Sequence, residues 1–158
     1  MTDLHAAVVG YLTERHWPYE DRGDVIVTPV LASSESWPAF FEIRDQHQQL
    51  IVYSLVPVAV PVERRTDAAL YIARANYGLA IGNLDIDIDD GEVRFRTSVD
   101  VEGAEISAPI IDHLFLANIM GVEQFLAGLR SVMEGAGPSA AFEPRGSDLG
   151  TTCRSGST

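Results

Sequence analysis

Four aspartates and a glutamate lie within the segment DIDIDDGE, residues 85–92. Carboxylate oxygens are the ligands that calcium and magnesium prefer, so this segment is the first candidate for a metal site. A calcium loop of the EF-hand type needs Gly at its sixth position and Glu at its twelfth. Counting from Asp85 places Asp90 and Arg96 at those two positions, so the sequence does not match the motif.

Strict alternation of apolar and acidic residues gives this segment a different interpretation. The alternating residues are Leu84, Asp85, Ile86, Asp87, Ile88 and Asp89. A period of two is typical of a half-buried strand, so we expect the aspartates to point into solvent while the isoleucines point into the core. Carboxylates about 7 Å apart along one strand do not readily share an ion. We therefore expect a solvated face that Arg94 and Arg96 neutralise across a hairpin turning at Asp90 and Gly91.

Asp112 and His113 are the best remaining acid–base candidates. Adjacent positions on a helix point about 100° apart, so these two side chains do not naturally face a common substrate, and we interpret them as an exposed polar pair. Cys153 is the only cysteine, and without a neighbouring His it is interpreted as an exposed thiol. The segment GAGPSA, residues 135–140, fits a dinucleotide-binding loop by letter, but it follows a helix instead of a strand. The sequence thus predicts no catalytic residue, no cofactor and no metal ligand.

The composition limits the partners that the chain can bind. Its formal charge of −12 and pI of about 4.5 oppose binding to nucleic acid and to anionic membrane surfaces, because both require a basic patch. One cysteine allows no internal disulfide, and the N-terminal residues lack the pattern of a signal peptide. The most apolar run, residues 50–62, is shorter than the roughly 20 residues of a membrane-spanning helix. We expect a cytoplasmic protein.

Periodicity and breaker residues along the chain predict an α+β fold. In chain order we expect a helix before Trp17, strands at 24–31, 37–45 and 49–58, a helix at 62–82, strands at 84–89 and 92–101, and a helix from a Ser107 cap to Glu134. The order α-β-β-β-α-β-β-α predicts an antiparallel sheet of about five strands with the helices mainly on one face. Pro29 cannot donate a ladder hydrogen bond, so the first strand is expected at an edge or bulged. Residues 1–134 are expected to form one domain, and the Gly-, Ser- and Pro-rich residues 135–158 a flexible tail.

Two asparagines interrupt the apolar faces of the last two helices. Asn76 and Asn118 occupy positions there that otherwise face the core. A buried amide must find hydrogen-bond partners, so we expect each of them to satisfy a buried backbone group.

The second and third strands carry more apolar residues than one buried face needs. Alternation places one set under the helices: Trp37, Ala39, Phe41 and Ile43. It places the outer apolar set on the opposite face: Phe40, Ile51, Tyr53 and Leu55. If the helices cover only one face, the outer apolar set forms a patch for a partner protein or a second copy of the chain. If the last helix wraps around the sheet, it covers this set, and the sequence favours neither arrangement.

Three segments resemble the YbjN family of bacterial sensory transduction regulators: VYSLVPVAVPVERR, IARANYGLAIGNLDIDIDDGEVRFRTSVDVEG and APIIDHLFLANIMGVEQFLAGLRSVMEG. The predicted element order is also similar to that of the type III secretion chaperone-like fold. The resemblance covers about residues 3–134 and carries no catalytic signature. It implies a non-enzymatic regulator or chaperone-like binder, often paired as a dimer, with no active-site residues to transfer.

Together these observations predict a small non-enzymatic module that binds a partner protein through apolar sheet or helix surface. The predicted binding residues are the outer apolar set, and an extended peptide docked on a sheet edge or in a groove is the expected mode. The alternative is a metal-dependent enzyme or ion sensor that uses the acidic cluster of residues 85–90, with Asp112 and His113. A purely structural homodimer also stays open.

Overall fold

The fold is a six-stranded antiparallel sheet with three helices, in a computed structural model that describes residues 3–141. In chain order the helices and strands are α1 (Leu4–Glu14), β1 (Glu20–Asp21), β2 (Val25–Ala32), β3 (Glu35–Arg44), β4 (Gln49–Ala59), α2 (Arg65–Tyr77), β5 (Asn83–Ile86), β6 (Glu92–Asp100) and α3 (Ala108–Met133). Short 3₁₀ turns at Asp45–His47 and Val62–Arg64 follow β3 and precede α2. The strands lie in the order β1-β2-β3-β4-β6-β5. The predicted α+β fold is confirmed.

The strand that sequence periodicity did not predict is β1. Its two residues pair with Ile26 and Val27 of β2, and so short a strand gives no periodic signal. The Arg22 N–H donates to the Val25 carbonyl at 3.0 Å, so the odd-numbered residues of β2 direct their backbone groups away from β3. Pro29 lies beyond the end of β1 and lacks its N–H on that outer side. The strand expected at an edge or bulged is instead the second strand of the sheet with an unbroken register, and Pro29 is accommodated because it lies beyond the last residue paired with β1.

The hairpin between β5 and β6 differs from the prediction at its tip. The strand β5 ends at Ile86, and a loop of residues 88–91 follows, closed by a 2.8 Å hydrogen bond from the Asp87 N–H to the Glu92 carbonyl. Gly91 adopts a φ of 83° there, as the predicted turn requires. Because Ile88 lies in the loop and not on the strand, its side chain is 52% exposed. The expectation that Ile88 points into the core is therefore wrong.

The helices begin close to the predicted residues, but α2 ends early. In α1 the Asp3 carboxylate accepts a hydrogen bond from the Ala6 N–H at 2.9 Å. The helix α2 ends at Tyr77, whereas Gly82 was the predicted end. Gly82 instead has a φ of 78° and lies against the Phe95 ring, where a Cβ would come within 2.5 Å of a ring carbon. The residues between Tyr77 and β5 therefore form a turn that returns the chain from α2 to the sheet.

All three helices pack on one face of the sheet. The inward set predicted for β3 is buried there, and Phe41 meets Phe115 of α3 edge-to-face with ring centroids 5.0 Å apart. Tyr11 of α1 bonds to α3, and Tyr71 of α2 lies edge-to-face with Phe125 of α3. The helix α3 therefore lies on the same face as α1 and α2. The arrangement in which the last helix wraps over the other face is wrong, and we call that uncovered side the open face.

The helix α3 is the one described helix that is long and apolar enough to cross a membrane by length and composition. Residues 50–62, the most apolar run of the sequence, instead lie mostly in β4. In the fold α3 buries Phe115, Val122 and Leu129 among its core residues. A core helix of a soluble protein meets the same length and composition test.

The predicted tail lies only partly within the described residues. Residues 136–141 follow α3, where the Ala136 N–H donates to the Ser131 carbonyl at 2.9 Å and Ala141 packs against the core. Residues 142–158 lie outside the described residues. The interpretation of Cys153 falls in this segment, and it stays a prediction.

Candidate protein-binding surface

The first carboxylate of the acidic cluster is engaged by arginines. Asp85 Oδ2 lies 3.3 Å from Arg94 Nε and 3.1 Å from Arg96 Nε, and Asp85 Oδ1 accepts from the Asn83 amide at 2.6 Å. The register places Asp85 directly opposite Arg94 on β6. The predicted neutralisation across the hairpin is confirmed at this residue. With both oxygens occupied, Asp85 has little capacity left for a metal ion.

Two of the remaining aspartates of the cluster stabilise the hairpin loop. Asp87 Oδ1 accepts from the Asp89 N–H at 2.9 Å, and Asp90 Oδ1 accepts from the Glu92 N–H at 2.8 Å. These are the short local bonds by which aspartate stabilises turns. Among residues 3–141, no group of three or more His, Cys, Asp or Glu side chains is arranged to hold a metal ion. The cluster is therefore a turn with an ion pair at its base.

Asp112 and His113 do not form a common site. The Tyr11 hydroxyl donates to Asp112 Oδ1 at 2.9 Å, and Arg15 Nη2 lies 3.5 Å from the same oxygen. Burial raises the pKa of Tyr11 well above its usual range, and its hydrogen bond to Asp112 adds to the rise. His113 is exposed at the adjacent helix position. Asp112 thus links α1 to α3.

Two arginines in the segment VERR hold backbone carbonyls together. Arg65 donates to the carbonyls of Val60, Ile88 and Asp89 at 3.2, 3.1 and 2.8 Å. Arg64 donates to the carbonyls of Val132, in the last turn of α3, and Ala136, just after that helix, at 2.8 and 3.3 Å. Sequence periodicity could not identify these roles because the partners lie far along the chain. The bonds of these two arginines to backbone carbonyls give the segment VERR a structural role.

We expect Arg65→Ala to lower the free energy of unfolding by about 2 kcal/mol, because it leaves charge-assisted bonds to three carbonyls unmade. Urea denaturation monitored by circular dichroism measures the loss. Arg74→Ala on the exposed side of the same helix is the matched control and should change stability by less than about 0.5 kcal/mol. Equal effects of the two substitutions would contradict the clamping role of Arg65.

The two asparagines satisfy backbone groups, as predicted. Asn76 accepts from the Leu84 N–H at 2.8 Å and donates to the Leu84 carbonyl at 2.9 Å. Asn118, fully buried in α3, donates from Nδ2 to the carbonyls of Val52 and Phe95 at 2.9 and 3.0 Å. Asn76 thereby satisfies the outward backbone groups of Leu84 on β5, and Asn118 fixes α3 on the seam between β4 and β6.

The outer apolar set lies on the open face. Phe40 and Tyr53 are directly paired on β3 and β4, and their rings stack with centroids 4.9 Å apart and planes 12° apart. Ile51 is 9% exposed, and Phe40, Tyr53 and Leu55 are half-buried. The structure brings the set together without any described helix above it. A rigid aromatic pair on an accessible face is the kind of feature that anchors protein interfaces.

Charged side chains surround the outer apolar set. The Arg94 guanidinium lies 5.4 Å from the centroid of the Tyr53 ring, and Arg44 pairs with Glu42 at 2.7 Å. Burial raises the pKa of Tyr53, Glu42 adds to the rise and Arg94 opposes it. The Tyr53 phenol is therefore a neutral donor at physiological pH. An apolar centre with a polar rim resembles the anatomy of a protein–protein interface.

A sequence model of one family, described as "Putative bacterial sensory transduction regulator", matches residues 5–131. The chain belongs to the YbjN family. The resemblance that the sequence segments indicated is therefore confirmed. None of the curated proteins compared with the chain matches it significantly. The family match covers every helix and strand of the fold except the start of α1 and the end of α3.

Solved structures share the fold of this YbjN-family chain at low sequence identity. The crystal structure of YbjN from E. coli superposes with a TM-score of 0.54 at 9% identity, covering 80% of this chain and 86% of that one. The ExsC–ExsE complex gives 0.51 at 8% identity, covering 78% and 90%. The HopA1–SchA chaperone–effector complex gives 0.49 at 14% identity, covering 81% and 93%. The type III secretion chaperone-like fold is confirmed.

Proposed function

We propose that this protein is a non-enzymatic, cytoplasmic module that binds a partner protein through the open face. The main support for this proposal is the stacked pair of Phe40 and Tyr53, with Ile51 and Leu55 beside it. This pair lies on a sheet face that no described helix covers. The regulatory description of the family supports a role in binding instead of catalysis. The ExsC–ExsE complex, which has a similar fold, agrees with a partner-bound role.

The physical basis of binding is desolvation of the aromatic pair. A partner that covers Phe40 and Tyr53 removes apolar surface from water, while Arg94 and Glu42 at the rim exclude solvent and select the register. The face needs little rearrangement, because the stacked rings already restrict each other. The occupant is a partner protein, and a second copy of the chain is the competing occupant.

We expect Phe40→Asp to reduce partner capture at least tenfold while the monomer stays folded, since Phe40 is half-buried on the open face and outside the inward core. Quantitative affinity capture from the native cell measures the loss. Light scattering of the purified chain shows whether self-association falls instead, which would make the occupant a second copy.

Met120→Asp is the matched control for this substitution, because Met120 is an apolar residue 63% exposed on α3, on the side of the sheet opposite the outer apolar set. It should leave capture unchanged. If Phe40→Asp unfolds the chain, Phe40 belongs to the core and the proposed surface is wrong. If both variants capture partners as well as the unmodified protein, the open face is not the binding surface.

A further inference from the structure

Two arginines lie on the open face beside the aromatic pair. Arg94 and Arg96 of β6 pair with Leu55 and Tyr53 of β4, so all four side chains share this face. The arginine side chains are 43% and 40% exposed. One carboxylate serves both of them, because Asp85 Oδ2 lies 3.3 Å from Arg94 Nε and 3.1 Å from Arg96 Nε. Two positive charges therefore face one negative charge at this point.

The terminal nitrogens of both arginines remain available. Within residues 3–141 the Nη1 and Nη2 groups of Arg94 and Arg96 donate no hydrogen bond, and neither arginine pairs with Glu92 on the same face of β6. The Arg94 guanidinium lies 5.4 Å from the centroid of the Tyr53 ring. Stacking of this kind uses the flat side of the guanidinium and leaves its in-plane N–H groups free to bind a carboxylate.

The backbone of the open face is already paired. Phe40 on β3 and Tyr53 on β4 each lie between two neighbouring strands. A segment lying across these strands finds no free backbone N–H or carbonyl there, so its own backbone groups must be satisfied internally when water is displaced. An α-helix satisfies them and an extended segment does not. The occupant that fits this face is therefore a helix.

The distance from the aromatic pair to the arginines matches one turn of a helix. Arg96 lies directly opposite Tyr53, and paired strands lie about 4.8 Å apart. Residues three or four positions apart on a helix share one side, with Cβ atoms roughly 5–6 Å apart. A helix with an apolar side chain over Phe40 and Tyr53 therefore brings the side chain one turn away to the two arginines.

Local charge selects an acidic side chain at that position. The formal charge of −12 on the whole chain repels acidic segments at long range, but salt screens this repulsion beyond about 8 Å at physiological ionic strength. Direct contact with two guanidinium groups is charge-assisted and lies beside apolar surface. A carboxylate also uses the donors that Asp85 leaves unpaired.

We propose that the open face binds an amphipathic helix of the partner protein, with a large apolar side chain on Phe40 and Tyr53 and an acidic side chain one turn away on Arg94 and Arg96. The carboxylate accepts hydrogen bonds from the available Nη groups. An extended peptide, the mode expected from the sequence, suits an edge or a groove and not this paired face. This inference rests on the proposed function, because it names the partner segment that covers the open face.

The first test compares two synthetic peptides on the full-length chain. In acetyl-KLAAFAALEAAKA-amide the glutamate lies one helical turn from the phenylalanine. The peptide acetyl-KLAAFAELAAAKA-amide has the same composition and charge, but its glutamate points to the opposite side of the helix. We expect the first peptide to bind at least tenfold more tightly, as measured by chemical-shift titration of the ¹⁵N-labelled chain. Equal binding of the two, or no binding of the first at millimolar concentration, would overturn the proposal.

A matched pair of variants locates the contact. Arg96→Gln removes one guanidinium and keeps the stack of Arg94 on Tyr53. Arg44→Gln is the control, because Arg44 lies on the same face of β3 and its removal changes the net charge equally. Arg96→Gln should weaken binding of the first peptide about tenfold and of the second by less than about twofold, and Arg44→Gln should alter neither by more than about twofold. If Arg96→Gln affects both peptides equally, or no more than Arg44→Gln does, the proposal fails.

Partner capture separates this inference from the proposed function. Loss of capture in both Phe40→Asp and Arg96→Gln supports both proposals. If Phe40→Asp reduces capture and Arg96→Gln leaves it unchanged, the open face binds the partner and only the acidic-helix inference fails. If Phe40→Asp leaves capture unchanged, the proposed function itself fails.

Discussion

Asn118→Asp is expected to destabilise the protein by about 3–5 kcal/mol at pH 7, a large part of the stability of a domain this size. Asn118 is fully buried, and its Nδ2 donates to the carbonyl oxygens of Val52 and Phe95. A carboxylate there would place negative charge against those two oxygens in a fully buried position. The neutral acid is less costly, because its hydroxyl can donate to one of the carbonyls.

The same substitution should make stability depend on pH in a defined direction. Burial would raise the folded-state pKa of the introduced carboxyl group above its unfolded value of about 3.9, so the loss is small below that value and grows as pH rises through the folded pKa. Urea denaturation at pH 4.5 and pH 7, each against the unmodified chain, measures the difference. The unmodified chain is measured at both pH values because its own stability also depends on pH. Hydrogen bonds hold the pKa values of four of its carboxyl groups below their usual range: Glu20, Asp21, Glu35 and Asp100.

Asn118→Leu is the control, because it removes the same hydrogen bonds with similar volume and adds no charge. Its loss should be smaller and independent of pH. If the loss caused by Asn118→Asp is the same at pH 4.5 and pH 7, a buried carboxylate is not its cause.

Gly121→Ala should lower the free energy of unfolding by about 3 kcal/mol, although alanine is the better helix former. The reason is the approach of α3 to the sheet: a Cβ at Gly121 would lie 2.3 Å from the ring of Phe95. Phe95 is 1% exposed, and its ring cannot move without disturbing the core. Thermal and urea denaturation measure the effect.

Gly10→Ala is the matched control for this prediction. Gly10 lies within α1, and a Cβ there would meet nothing within 4 Å. It should gain about 0.5–1 kcal/mol from helix propensity alone. A stabilising Gly121→Ala would show that the Phe95 ring yields and that α3 is not held as closely as described.

The residues that carry the family resemblance are largely structural. Arg64 and Arg65 bind carbonyls, Asn76 satisfies backbone groups of β5, and Gly91 allows the loop to pass within van der Waals contact of the Val60 carbonyl. These four residues lie outside the outer apolar set, whereas Tyr53 and Leu55 of that set also fall within a resembling segment, VYSLVPVAVPVERR. Residues that maintain a family's fold need not be the residues that bind its partners. Different surfaces on one scaffold can therefore serve different partners.

The sequence by itself determined the local directions of the side chains. A strand repeats every two residues, so alternation alone assigned Phe41 to the core and Phe40 to the opposite face, and it turned Asp85 toward Arg94. Helix patterns likewise located α3 and the need of Asn118 for buried partners. These predictions succeeded because they depend on neighbours within a few residues in the chain.

Only the tertiary structure decided which surfaces stay uncovered and which partners meet. Alternation could not place Ile88, because the loop geometry ended β5 before it reached that residue. Nor could it show that α3 leaves the open face bare, that the short strand β1 pairs with β2, or that Arg65 reaches the loop at Asp89. Each of these depends on contacts between distant segments, whose geometry follows from packing the whole domain and not from local periodicity.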